Sequence, residues 1–213
     1  MKGSAPSTAR SGSATRLTLA CKITILRIML VPLFMLQLLY YTLSIQRGAP
    51  NEYQRLGALV LFMVIALTDA LDGFVARLRR EITELGRILD PLADKLLLLS
   101  ALVLLTRPSV AGLQPQFPIA FTLLVISRDI LLILGAVIVH AVVGELKVRP
   151  RTLGKAATAF QMSAVIWALA GWPATFFVVL VWLAGFCVAV STLQYVMDGV
   201  HMLESAQAAD GGR

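Results

Sequence analysis

Four aspartates fall within one 26-residue stretch, reading Asp69-Ala-Leu-Asp72-Gly73-Phe-Val-Ala76-Arg77, then eight residues, then Gly86-Arg-Ile-Leu-Asp90-Pro-Leu-Ala-Asp94-Lys95. Asp69 and Asp72 are three apart and Asp90 and Asp94 four apart, so on helices each pair projects from one face, one side chain above the other. Two such helices joined by a short loop bring four carboxylates together. Carboxylates crowded in that way repel one another unless a cation neutralises them. Hard oxygen ligands select Mg²⁺, Mn²⁺ or Ca²⁺, and a cluster of this size has room for two divalent ions. Ions so held suit phosphoryl chemistry, because they clamp phosphate oxygens and offset charge developing in the transition state. A carboxylate left partly free can also accept a proton from an attacking hydroxyl.

The residues between the acids support this reading. Gly73 and Ala76 leave space beside the carboxylates for a ligand to approach the backbone, whereas glycine inside a helix is otherwise unfavourable by about 1 kcal/mol. Arg77 offers a planar guanidinium to a phosphate. Asp90 also precedes Pro91, the order expected where an aspartate caps a helix whose first residue is proline. Capping and metal ligation by Asp90 are compatible. The plainer alternative for the whole set is a solvated interfacial loop, its acids paired with Arg77, Arg79 and Arg87.

The elements that position these residues follow from composition. The 213-residue chain is 58% hydrophobic and 15% charged, against about 45–50% apolar for soluble domains. This excludes disorder and a water-soluble globule, and two cysteines, Cys21 and Cys187, make no disulfide framework. Apolar stretches at about 23–45, 56–76, 92–106, 117–141, 156–171 and 173–197 are separated by breakers such as Gly48-Ala-Pro50, Pro108, Pro150 and Gly171-Trp-Pro173. Each is near the length of a membrane span. The expected fold is an all-α integral membrane protein of six transmembrane helices, occupying 23–197. A flexible basic N-terminal tail over 1–22 and a short C-terminal tail over 198–213 complete it.

Lys and Arg alternate along the chain. They crowd the N-terminal tail (Lys2, Arg10, Arg16, Lys22), the second connection (Arg77, Arg79, Arg80, Arg87, Lys95) and the fourth (Lys147, Arg149, Arg151, Lys155), and are sparse in the others. The positive-inside rule then places both termini and the aspartates on the cytoplasmic side. The net charge of +7 is explained by this topology and by anionic lipid headgroups, so no nucleic-acid partner is expected. His140 and His201 have no Cys or His at ligand spacing and make no metal motif.

A second polar group lies further along. Ser127-Arg128-Asp129 interrupts an apolar span, where charges are rare and normally face a polar cavity. Arg128 is read either as the partner of Asp129 or Asp94 in a buried ion pair, or as an anchor for an anionic acceptor. Arg149, Arg151 and Lys155, grouped at the start of the fifth span, are candidates for the same acceptor, although topology alone accounts for some of that charge.

The aspartate stretch resembles the signature of the CDP-alcohol phosphotransferases: Asp, two residues, Asp-Gly, two, Ala-Arg, eight, Gly, three, Asp, three, Asp. All eight specified positions match. Thr24-Ile-Leu-Arg27 with Pro32 is similar to the opening of that family, with Cys21 where the family has asparagine. The resemblance implies a six-helix membrane enzyme, usually a homodimer, that transfers a phosphate-linked alcohol from a CDP carrier to an acceptor hydroxyl and releases CMP. It implies that Asp69, Asp72 and Asp90 hold one divalent ion, Mg²⁺ or Mn²⁺. Asp94 would share a second ion and act as the base. Asp69, Asp72, Gly73, Ala76, Arg77 and Gly86 would line the site for the cytidine diphosphate.

Gly154-Lys155 followed by Thr158 and Gln161 is similar to the branch making phosphatidylglycerophosphate or cardiolipin. The implied reaction joins CDP-diacylglycerol to glycerol 3-phosphate, with phosphatidylglycerol as alternative acceptor, in a bacterial inner membrane with the site facing the cytoplasm. Intramembrane prenyltransferases and cation transporters also carry aspartate clusters. They remain as remote alternatives, separable by pyrophosphate release or by metal flux without nucleotide.

Overall fold

The computed structural model describes residues 19–79, 84–106, 115–143 and 152–210. Six helices account for nearly all of them: α1 (Leu19–Gln46), α2 (Glu52–Arg79), α3 (Glu84–Leu105), α4 (Ile119–Val143), α5 (Thr152–Ala170) and α6 (Ala174–Asp210). The all-α expectation holds, and each helix matches one of the six apolar stretches read from the sequence, four of which extend one or two residues beyond it. Among the described residues, Ile25–Gln46, Thr152–Ala170 and Ala174–Val200 are long and apolar enough to cross a membrane.

Helices outrun the apolar stretches because a helix ends where backbone hydrogen bonding stops, not where hydrophobicity does. α1 begins at Leu19, inside the stretch expected as tail, while residues 1–18 lie outside the described set. α6 continues helical to Asp210, through most of the expected C-terminal tail. The largest correction concerns α3. It is already helical at Glu84, the first described residue after 79, so Asp90 and Pro91 sit inside the helix and Asp90 is not its N-cap. Asn51 has that role for α2: its Oδ1 accepts from Tyr53 N at 3.1 Å, and its own N–H donates to Ser44 Oγ at 3.0 Å, closing the first connection.

The helices form two triplets. α1 packs against both α2 and α3, α6 packs against both α4 and α5, and α2 with α5 makes the main junction between the triplets. The core is a set of helical stripes: Val31, Phe34, Leu38 and Tyr41 on α1; Ala58, Phe62 and Ile65 on α2; Leu97, Ala101 and Leu105 on α3. Phe121 and Val125 continue it on α4, Ala157, Ala164 and Ala168 on α5, and Val181, Ala184 and Val188 on α6. Phe34 and Phe62 meet at a centroid distance of 5.6 Å across α1 and α2. Alanines on α5 let neighbouring backbones approach closely, as membrane helix contacts favour. The opposite faces carry Met29, Leu33, Val60, Leu67, Ile133, Trp182 and Phe186, all exposed. Apolar surface on that scale belongs in lipid.

Candidate active site

Several core stripes turn polar at the same end of the bundle. On α1 the stripe Leu38, Phe34, Val31 continues to Arg27; on α2 the stripe Ala58, Phe62, Ile65 continues to Asp69; on α3 Ala101 and Leu97 lead back to Asp94. Steps of three and four residues keep each polar group on the buried face of its helix. Arg27 and Asp94 are eight and ten residues from the starts of α1 and α3, and Asp69 is ten from the end of α2. At the rise of an α-helix they therefore lie about 12–15 Å from the first or last described residue of their helices.

There the three side chains meet. Arg27 is completely buried, and its Nη1 lies 2.7 Å from Asp69 Oδ1 and 3.9 Å from Asp94 Oδ1. The two carboxylates come from helices that touch each other little among the described residues, and α1 between them supplies the guanidinium that gathers them. Each keeps about a third of its side-chain surface accessible, 32% for Asp69 and 30% for Asp94, so the pair borders an opening. Among these three side chains, one guanidinium faces two carboxylates. The donor set, carboxylate oxygens beside open space, fits a divalent cation of the Mg²⁺ or Mn²⁺ type. Among the described residues no group of three or more metal-ligating side chains occurs.

The side chains of Asp72, Gly73, Ala76, Arg77, Gly86 and Asp90 lie outside those described. Their backbone does not: α2 is helical through 69 and 72, and α3 through 90 and 94, so the spacing that stacks each pair on one helix face is retained.

A second polar cluster joins the other triplet to this end. Asp129 Oδ1 lies 2.6 Å from Lys95 Nζ on α3 and 3.0 Å from Arg128 Nη1 on α4. Arg128 Nη2 donates to Ser191 Oγ on α6 at 3.4 Å. Gly154, buried near the start of α5, closes the group: a Cβ there would lie 3.3 Å from Arg128 Nη2, 3.8 Å from Ser191 Oγ and 3.9 Å from the Tyr195 hydroxyl. Of the two ion pairs open to Arg128 in the sequence, the structure forms the one with Asp129, while Asp94 faces Arg27. Lys155 is exposed one residue beyond Gly154. Arg149 and Arg151 lie outside the described residues.

Sequence reasoning missed Arg27 as a site residue, although the signal was present: it is a charge inside an apolar stretch, the property that drew attention to Arg128. Ser191 and Tyr195 carried no such signal, since a hydroxyl in an apolar helix is common and the contact between Arg128 and Ser191 spans 63 residues of sequence.

Comparison with known proteins identifies the family. The family model for CDP-alcohol phosphatidyltransferase matches residues 17–192. The CDP-diacylglycerol–glycerol-3-phosphate 3-phosphatidyltransferase of Bacillus subtilis (strain 168) is 35% identical over 156 residues, covering 68% of this chain and 72% of that protein. The protein of the same description from Pseudomonas fluorescens is 36% identical over 187 residues, 82% of this chain and 86% of the relative. The one from Shigella flexneri serotype 5b (strain 8401) is 32% identical over 179 residues, with 82% and 90% covered. With a matched region that runs from α1 into α6 and includes Arg27, all four aspartates, Arg128 and Ser191, the chain belongs to the CDP-alcohol phosphatidyltransferase family.

Proposed function

We propose that the protein transfers the phosphatidyl group of CDP-diacylglycerol to the hydroxyl of glycerol 3-phosphate, releasing CMP and forming phosphatidylglycerophosphate. The observation that carries the reading is the convergence of Asp69 and Asp94, from two different helices, on buried Arg27. Relatives bearing this activity in their names, matched over most of their length, support the choice of substrates.

In this reading Asp69, Asp72 and Asp90 hold one divalent ion and Asp94 shares a second. Bound there, the ions would neutralise the pyrophosphate oxygens and the charge that develops on the departing CMP. Asp69, Asp72, Gly73, Ala76, Arg77 and Gly86 form the pocket for the cytidine diphosphate. Asp94 removes the proton from the acceptor hydroxyl. The new bond joins that oxygen to the phosphorus carrying diacylglycerol, and the bond from this phosphorus to the bridging oxygen breaks, leaving with CMP. Arg27 holds Asp69 and Asp94 in place at 2.7 and 3.9 Å and offsets part of their mutual repulsion before substrate arrives. Arg128, Arg149, Arg151 and Lys155 supply positive charge for the phosphate of the acceptor.

The same reading has all six helices crossing a bacterial inner membrane, with both termini and the site on the cytoplasmic side, and two chains associating as a homodimer. The alternation of Lys and Arg supports the orientation. Incubating the purified protein with CDP-diacylglycerol and Mg²⁺ or Mn²⁺, together with glycerol 3-phosphate or phosphatidylglycerol, tests the reaction. CMP is expected with glycerol 3-phosphate. Release with phosphatidylglycerol alone would reassign the acceptor, and none with either would overturn the reading.

A further inference from the structure

We propose that Asp129 is a positioning residue for the acceptor, a role that rests on the transfer reaction proposed above. One of its carboxylate oxygens, Oδ1, holds two cations from two helices, Lys95 Nζ at 2.6 Å and Arg128 Nη1 at 3.0 Å. Lys95 directly follows Asp94, the proposed base, and Arg128 is the proposed acceptor anchor. A single carboxylate therefore ties the helix of the base to the helix of the anchor. Those helices, α3 and α4, have little other contact among the described residues. Near their far ends a Thr106 to Thr122 hydroxyl pair at 2.6 Å makes a second tie, so the Lys95 to Asp129 bridge fixes the end at which chemistry occurs.

The orientation of Arg128 depends on the same oxygen. Its Nε is buried without a hydrogen-bond partner among the described residues, so the plane of the guanidinium is set from its two ends, Nη1 by Asp129 and Nη2 by Ser191 at 3.4 Å. A planar fork held at both ends presents its remaining N–H groups in a fixed direction, which suits recognition of a phosphate. Gly154 completes the device by leaving space: any side chain there starts with a Cβ 3.3 Å from Nη2. Glycine at position 154 thus keeps α5 from pushing the guanidinium off Ser191.

The test uses the full chain in lipid nanodiscs and steady-state CMP release with both substrates varied. Asp129→Asn should raise KM for glycerol 3-phosphate about tenfold, the effect of losing a charge-assisted hydrogen bond that orients a binding group. KM for CDP-diacylglycerol should stay within about twofold, and Asp129→Glu should recover most of the loss. Gly154→Ala leaves every charge in place and should raise KM for glycerol 3-phosphate several-fold, which decides the matter if Asp129→Asn does not fold. An unchanged acceptor KM in Gly154→Ala or in folded Asp129→Asn, or equal rises in both KM values, would overturn the role of Asp129 while wild-type turnover stands. Wild-type protein that releases no CMP with glycerol 3-phosphate would overturn the parent reading and this inference with it.

Discussion

Replacing Arg27 with methionine removes a charge that the structure brings to both Asp69 and Asp94 while keeping an unbranched apolar stem of similar reach. At an effective dielectric constant of about 20, unit charges at the observed 2.7 and 3.9 Å attract by roughly 6 and 4 kcal/mol. Desolvation of a fully buried guanidinium offsets most of that. Removing one partner from a buried pair typically destabilises by about 3–5 kcal/mol, and the one-third exposure of each carboxylate places this site near 3 kcal/mol. For a chain of this size that corresponds to a fall in Tm of about 6–12 °C. Thermal unfolding of the detergent-solubilised protein in EDTA measures it.

The same variant carries a second expectation. Without Arg27 the carboxylates gain affinity for a divalent cation, and a ligand at about one hundred times its Kd stabilises by about 2.7 kcal/mol. Mn²⁺ should therefore raise the Tm of Arg27→Met more than that of wild type. A loss below about 1 kcal/mol in EDTA, or equal Mn²⁺ shifts in both proteins, would refute the claim that Arg27 balances these two acids.

Other consequences can be checked with the same preparation. Asp94→Asn should lower turnover about 10²–10⁴-fold, the contribution of a general base, with CDP-diacylglycerol binding retained by calorimetry. Chelation should abolish CMP release, and added Mg²⁺ or Mn²⁺ should restore it; activity persisting in excess EDTA would contradict metal use. Gly171 has φ 70° and its Cβ position is filled by the Arg55 guanidinium, so Gly171→Ala should lower stability by at least about 1–2 kcal/mol, read from the Tm, without changing acceptor KM.

The helical spacing of the acids was legible because a helix imposes a period, and that period leaves a mark in a linear sequence. The spacing of Asp69, Asp72, Asp90 and Asp94 is of that kind, and the breakers at Gly48 and Gly171 fall in the connections as expected, both with positive φ. The start of α3 was not legible. Residues 84–91 carry two acids, an arginine and a proline, so hydropathy reads them as an interface, while their backbone is helical from Glu84 onward. Pro91 in that context looked like a first residue, yet proline deep in a helix is tolerated where neighbours satisfy the freed carbonyl. The placement of α1 between α2 and α3 was also hidden, because nothing in a sequence states which helix a buried arginine will face. The same limit concealed the meeting of Arg128 with Ser191 and Gly154, three residues on three helices.

Manganese at the aspartates is the most direct test of the account. A structure of the protein grown with Mn²⁺ and CDP-diacylglycerol, measured at the manganese absorption edge, is expected to show anomalous peaks between α2 and α3. Oxygens of Asp69, Asp72, Asp90 and Asp94 should stand around them, with the diphosphate against the metals. Nucleotide bound elsewhere, or these four side chains without manganese between them, would contradict it.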